Sequence, residues 1–290
     1  MKTVLLTGAN GFLGSNIAKS LIKNYKVIGL ARKTDNLFRL NSISSDLIVY
    51  STLYDNIEEI FKQHSIDIIL HTATVYGRKD EPTQELISTN YLLPLNLLLL
   101  GIKYNSEVFI NTDTVLDTKV SQYAMTKSHI RDWLQMMSDK IKIVNIQLEH
   151  FYGPGSNNDN FIYWLILKLL NNESEIHLTK GEQKRDFLFI DDAISAILTI
   201  IEYLNLLKDN YTTIQIASGE VISIKELALL LKKLTKSESV LSFGAIPYRV
   251  NELMVSGVNN GIIKSLNWKS KIRLEQGLNA TIDHIYKHCL

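Results

Sequence analysis

Thr7-Gly8-Ala9-Asn10-Gly11-Phe12-Leu13-Gly14 lies between an apolar run, Val4-Leu5-Leu6, and a stretch from Phe12 to Lys23 whose apolar residues recur at helical spacing. Glycines at 8, 11 and 14 let the main chain approach a pyrophosphate. The start of the following helix turns N–H groups and the positive end of its dipole toward the same place. The glycine spacing alone would also suit a tight turn, but strand before and helix after predict a dinucleotide-binding unit. Gly8, Asn10, Gly11, Phe12, Leu13 and Gly14 are the residues expected around the cofactor.

The alternation continues downstream. Strands are expected at Thr3 to Leu6, Lys26 to Leu30, Leu47 to Tyr50, Ile66 to Leu70, Glu107 to Ile110 and Ile141 to Gln147. Between them helical patterns run over Phe12 to Lys23, Asn56 to His64, Glu85 to Tyr104 and Ser121 to Ser138. Repeated β-α-β units of this kind predict an α/β fold with a doubly wound parallel sheet, a Rossmann domain. The stretch from Asp35 to Ser45 has no clear period and is read as irregular. After Tyr152-Gly153-Pro154-Gly155 a polar run, Ser156 to Asn160, changes the character of the chain. Residues 1–150 are therefore expected to form the NADP-binding domain and residues 151–290 a smaller C-terminal substrate domain, with the site in a cleft between them. A segment near 186–219 is expected to return to the first domain, since Tyr211 to Gly219 is again rich in β-formers. Ser223 then reads as the N-cap of a helix over Ile224 to Leu234.

Composition narrows the function. The 290 residues are 46% hydrophobic, enough for a sizeable core, and 31 Lys and Arg against 30 Asp and Glu leave a net charge of +1. No global field is present to hold nucleic acid or an anionic membrane, so neither is an expected partner. Cys289 is the single cysteine, which excludes an internal disulfide and a thiolate metal cluster and fits a reducing, cytoplasmic compartment. The apolar run before the first glycine is too short for a signal-peptide core. Tyr91 to Ile102, interrupted by Pro94 and Asn96, falls short of the roughly 18 residues that span a bilayer and reads as a buried helix. The scattered histidines have no metal-ligand spacing, and no metal is expected.

The second strand ends in Gly29-Leu30-Ala31-Arg32-Lys33, where an acidic residue would grip the 2′-hydroxyl of NAD. Cations there suit the 2′-phosphate of NADP(H) in preference to NAD(H), with Arg32 as the contact. In His71-Thr72-Ala73, Ala73 would let the backbone pack close to the cofactor, and His71 reads as a core histidine. Tyr123-Ala124-Met125-Thr126-Lys127 places a phenol and an ammonium one helical turn apart. The cation is expected to lower the Tyr123 pKa and fit it for proton exchange with a carbinol or carbonyl oxygen. Just upstream, Phe109-Ile110-Asn111-Thr112-Asp113-Thr114 delivers hydroxyls, with Thr112 the chosen partner and Thr114 its rival.

These residues resemble the extended short-chain dehydrogenase/reductases that act on nucleotide sugars, the NAD-dependent epimerase/dehydratase family, over nearly the whole chain. The resemblance makes Thr112, Tyr123 and Lys127 the catalytic triad and matches Asn90 and Tyr152 to Gly155 to further family positions. It also implies that Arg185, in Gly181 to Phe187, and Arg249, in Pro247 to Glu252, clamp the substrate diphosphate. Glu149 and His150, at the sheet's C-terminal edge, are candidate substrate contacts. Longer phrases, Val27 to Lys33, Tyr76-Gly77-Arg78, Leu148 to Gly153 and Phe243 to Met254, are most similar to the subfamily of CDP-paratose and CDP-abequose synthases. That subfamily implies NADPH-dependent reduction of the C4 ketone of a CDP-4-keto-3,6-dideoxyhexose for bacterial O-antigen, with dTDP- or GDP-4-keto-6-deoxyhexoses as other options. A 4-epimerase or a 4,6-dehydratase shares the scaffold; the epimerase would retain NAD, against which Arg32 speaks, and the dehydratase needs both an acid and a base, whereas Asp113 is followed by Thr114 where a second carboxylate would be wanted. A non-catalytic NADP-binding regulator is the reading from another class. The oligomeric state is left open, with a homodimer one option.

Overall fold

The computed structural model describes residues 1–32, 37–51, 56–78, 80–256 and 260–288. Lys33, Cys289 and the start of the Asp35 to Ser45 stretch, each singled out above, lie outside them. All six strands expected in the first half form: β1 Thr3–Thr7, β2 Lys26–Ala31, β3 Leu47–Ser51, β4 Ile68–His71, β5 Val108–Thr114 and β6 Lys142–Leu148. After β7 His150–Tyr152, β8 Glu175–Leu178 and β9 Lys184–Phe189, the chain supplies β10 Tyr211–Ile216 to the same sheet. The seven strands stand in the order β10-β6-β5-β4-β1-β2-β3. β1 is parallel to β2 and β4, as are β2 to β3 and β4 to β5. The order reverses beside β1, which puts the glycine-rich turn at the switch point where ligands of such sheets bind.

Why these segments are strands is visible in their burial. Every residue of β1 and of β5 is buried, as expected of parallel strands covered on both faces. Leu5, Ile28, Leu30, Ile69, Phe109 and Ile143 from the sheet pack with Leu97, Leu98, Ile130 and Leu134 from the helices in one core cluster. The helices are α1 Phe12–Leu21, α2 Ile57–Gln63, α3 Thr83–Ile87, α4 Leu93–Lys103 and α5 Gln122–Met136. α3 and α4 are joined without a break by a π turn, Ser88–Leu92, and Pro94 follows it directly, so the irregular turn sits where the helical ladder lacks the Pro94 N–H. The helical run 83–103 is thus longer than the apolar stretch suggested. By length and composition it could cross a membrane, and half of its most apolar window is buried in the protein. The region read as irregular contains a 3₁₀ helix, Phe38–Ile43.

The chain divides into two compact units, Met1–Gln147 with Ile197–Ile214, and Leu148–Ala196 with Gln215–Leu290. The second holds a three-stranded sheet, β7-β9-β11 (Val221–Ser223), and a parallel pair, β8 with β12 (Val240–Phe243). Its helices include α6 Phe161–Leu170, the start of α7 Ile190–Glu202, and α8 Ile224–Thr235. Ser223 caps α8 as expected, in a capping box with Glu226. Asp191 and Asp192 open α7. Asp192 also accepts from Ser270 Oγ at 2.7 Å and from the Lys271 and Ile272 amides at 3.1 and 2.9 Å, so it anchors a distant segment as well as the helix.

Candidate active site

The turn after β1 has room only for glycine. Gly8 has a φ of +65°, and a Cβ there would stand 2.9 Å from the Ala73 backbone; a Cβ on Gly14 would stand 2.2 Å from the Gly8 carbonyl oxygen. The Ala73 backbone lies against the turn, its amide donating to Thr7 Oγ1 at 3.1 Å. α1 begins at Phe12 with Gly11 as its N-cap and no side chain capping it. The cradle and the uncapped helix start fit the pyrophosphate of a dinucleotide. Asn10, Gly11 and Phe12 are half-buried, whereas the Leu13 side chain is buried, so Leu13 can offer a ligand its backbone alone. Arg32 follows β2 directly, is exposed, and is ion-paired with Glu85.

Beneath the turn His71 is fully buried. Its Nδ1 shares a hydrogen bond of 2.9 Å with Thr7 Oγ1, while Nε2 has no hydrogen-bond partner among the described residues. Burial, helped by the nearby Lys127 charge, pushes its pKa well below the usual histidine value, so it is a neutral core residue.

The hydroxyl-bearing strand corrects one assignment. The Thr112 hydroxyl is already engaged, its Oγ1 donating to the His71 carbonyl at 2.9 Å. Thr114 is the residue whose hydroxyl hydrogen-bonds with Tyr123. What Thr112 contributes is its carbonyl, which accepts from Lys127 Nζ at 2.9 Å. The expected lowering of the Tyr123 pKa is also corrected. Although part of the side chain reaches solvent, burial of the phenol, with Tyr76 and Asp113 beside it, pushes the pKa well above the ordinary value. Burial lowers Lys127 to about 8.

Several site residues were not anticipated in these roles. Asp113, buried, accepts from Arg131 Nε at 2.7 Å and Nη2 at 3.2 Å, from Asn145 Nδ2 at 2.7 Å and from the Thr114 amide at 2.8 Å. The network fixes the backbone that carries Thr114. It also consumes the carboxylate that a dehydratase would use as an acid. Asn90, on the π turn, accepts from the Val75 amide at 2.9 Å, donates to the Val75 carbonyl at 2.8 Å and donates to Thr126 Oγ1 at 3.2 Å. One amide side chain thereby ties the loop after β4 to the helix bearing Tyr123 and Lys127.

In the second unit Arg185 is nearly buried and ion-paired with Glu252 at 2.6 Å, not with its neighbour Asp186. Burial lowers its pKa despite the carboxylates of Glu252 and Glu149. Asp186 instead accepts from the Ser218 and Gly219 amides at 2.8 and 2.7 Å. Arg249 is exposed, and its carbonyl accepts from the Glu252 amide at 3.1 Å. Glu149 is buried between Ser256 Oγ and His150 Nδ1, the latter at 3.2 Å. Tyr152, of the Tyr152 to Gly155 stretch, is a core ring edge-on to Phe187 and Phe189.

With this geometry in place, comparison with known proteins gives a consistent result. The CDP-abequose synthase of Salmonella typhimurium strain LT2 is 34% identical, over 97% of this chain and 98% of the relative. The CDP-abequose synthase of Salmonella muenchen is 32% identical, over 97% of each. Among solved structures, UDP-glucuronic acid 4-epimerase from Bacillus cereus, in complex with UDP-glucuronic acid and NAD, superposes with a TM-score of 0.87. That match is 23% identical and covers 98% of this chain and 99% of the other, and it attests the shared fold. The model of the NAD dependent epimerase/dehydratase family matches residues 4–217, from β1 to just past β10. The chain is thus a member of the NAD dependent epimerase/dehydratase family, an enzyme family built on a nicotinamide dinucleotide.

Proposed function

We propose that the protein reduces the C4 ketone of a nucleotide-activated deoxysugar with NADPH, a CDP-4-keto-3,6-dideoxyhexose being the favoured substrate, in bacterial surface polysaccharide synthesis. The observation that carries the reading is the Thr114, Tyr123 and Lys127 cluster beside an Asp113 already engaged by Arg131 and Asn145. A reductase needs one proton donor at the ketone oxygen, and the cluster has one. Similarity to proteins named CDP-abequose synthases supports the choice of sugar.

The Gly8 to Gly14 turn would hold the pyrophosphate of a nicotinamide dinucleotide, whose reduced form would supply the hydride for C4. Tyr123, kept protonated by its raised pKa, gives its proton to the oxygen that becomes the alcohol. The Thr114 hydroxyl polarises the same oxygen. Lys127, held by the Thr112 carbonyl, is the residue to hold the nicotinamide ribose, and its charge favours the phenolate left after transfer. Arg32 is assigned to the 2′-phosphate, and Glu149, Arg185 and Arg249 to the substrate, where Arg185 exchanges Glu252 for a phosphate.

The test is purified protein with NADPH or NADH and a panel of CDP-, dTDP- and GDP-4-keto-6-deoxy and 4-keto-3,6-dideoxy sugars. Cofactor absorbance and product stereochemistry are followed. Loss of NADPH with a CDP-linked dideoxy sugar is expected, with Tyr123→Phe slower by roughly 10²- to 10⁴-fold. Arg32→Ala should erode the NADPH preference by about one to two orders of magnitude. A wild type preferring NADH overturns the cofactor assignment, and near-normal turnover by Tyr123→Phe overturns the mechanism.

A further inference from the structure

The Tyr76-Gly77-Arg78 turn has no part in the reaction so far, yet it is built against the proton donor. The Tyr76 ring lies 5.1 Å from the Tyr123 ring, inclined at 45°. The Arg78 guanidinium sits over the Tyr76 ring, 4.9 Å from its centroid. Gly77, at a φ of +66°, makes the return possible; a side chain there would be strained and would press on Leu86 at 3.1 Å. Just before the turn the Val75 main chain is pinned at both its N–H and C=O by Asn90. Tyr76 is therefore a held ring, on a residue that remains 38% exposed.

A ketone oxygen that takes the proton of Tyr123 must come within hydrogen-bond reach of its phenol. The carbons flanking that ketone are then brought toward the neighbouring ring of Tyr76. Outside the face that Arg78 covers, the aromatic ring receives C–H groups well, whereas a hydroxyl pressed on it gives up a water partner for a poor acceptor.

Resting on the reading of the site as a ketosugar reductase, we propose that Tyr76 is a specificity-determining residue. Its ring forms an aromatic wall beside the proton donor that accepts a nucleotide sugar deoxygenated at the carbon next to the ketone and disfavours one with a hydroxyl there. The ring contact of Tyr76 with Tyr123 keeps the turn beside the proton donor. Discrimination against one added hydroxyl by an apolar wall is modest, about tenfold to a hundredfold.

The experiment compares two CDP-linked 4-ketosugars that differ only in the C3 hydroxyl, with wild type, Tyr76→Phe, Tyr76→Leu and Tyr76→Ala. Both kcat/KM for the ketones and, without cofactor, the dissociation constants of the two corresponding CDP-sugar alcohols are measured. Wild type and Tyr76→Phe should favour the 3-deoxy member by about tenfold or more in both measurements, and Tyr76→Ala should bring the ratio close to one. Tyr76→Leu, which keeps an apolar side chain and covers for a poorly folded alanine variant, should lie between. An unchanged ratio in folded Tyr76→Ala, or an equal loss on both sugars, overturns the proposal and leaves Tyr76 only holding Tyr123. If wild type binds both sugars and reduces neither, the reductase reading fails and this proposal with it, a result unlike either of those.

Discussion

Replacing Thr114 and Thr112 by valine separates the two hydroxyls that the sequence left in competition. Valine keeps the branched shape and suits a strand, so each change removes little beyond an oxygen. At 114 the lost hydroxyl is the one bonded to Tyr123, together with an acceptor for the Leu116 amide at 3.2 Å. Loss of a donor to the reacting oxygen costs roughly 10²- to 10³-fold in kcat, or about 3–4 kcal/mol, while the Leu116 bond contributes only about 1 kcal/mol to stability. At 112 the order reverses. The buried bond of 2.9 Å to the His71 carbonyl disappears, at about 1 kcal/mol of stability. The Thr112 carbonyl survives the change, so Lys127 keeps its acceptor and kcat should fall only a few-fold. Steady-state NADPH oxidation and thermal melts of the two variants give the comparison. A Thr112→Val protein that melts normally but has lost a hundredfold in kcat, beside an active Thr114→Val, would refute the placement of the hydroxyl.

Other outcomes follow from the same geometry. Lys127 is charged below its pKa of about 8, so raising the pH through that value strips the ammonium; kcat/KM for reduction should fall on the alkaline side, and Lys127→Met should show a low profile without that limb. Gly14→Ala would press a methyl on the Gly8 carbonyl, and melts with dinucleotide titrations should show about 1–3 kcal/mol of lost stability and much weaker binding; normal affinity would falsify the cradle. Asp113→Asn leaves the Arg131 charge without its carboxylate, with an expected loss of about 3 kcal/mol in denaturant unfolding and a kcat reduced along with the alignment of Thr114; an unchanged midpoint would show the network to be idle.

Six strands were legible because each is a short apolar run punctuated by turn residues, and a parallel sheet covered on both faces leaves that mark plainly. The glycine cradle was legible for a related reason, since contacts as close as 2.2 Å admit no other residue. The choice between Thr112 and Thr114 was not, because they are two apart on one strand and share a face. Only the tertiary position of the His71 carbonyl shows which hydroxyl is already spent. Asp113 was readable as a potential acid but not as the partner of Arg131 and Asn145, residues 18 and 32 positions away. A polar Asn145 amid the apolar residues of β6 was the available sign, since a buried amide demands partners. The Tyr123 pKa was misjudged from its helix spacing to Lys127, because desolvation of the phenol outweighs a cation whose hydrogen bond goes to the strand.

The return of Ile197–Ile214 to the first unit bears on how the polypeptide is made. The ribosome must translate through residue 216 before the edge strand Tyr211–Ile216 is complete, and until then β6 presents an open row of amides and carbonyls. Neither unit is a continuous piece of chain, so a fragment ending near residue 150 lacks a strand of its own sheet and offers that edge to other nascent chains. Long sequence separation between paired strands also slows folding. Yields of such fragments should be governed by aggregation, and adding residues through 216 should relieve it more than any shorter extension.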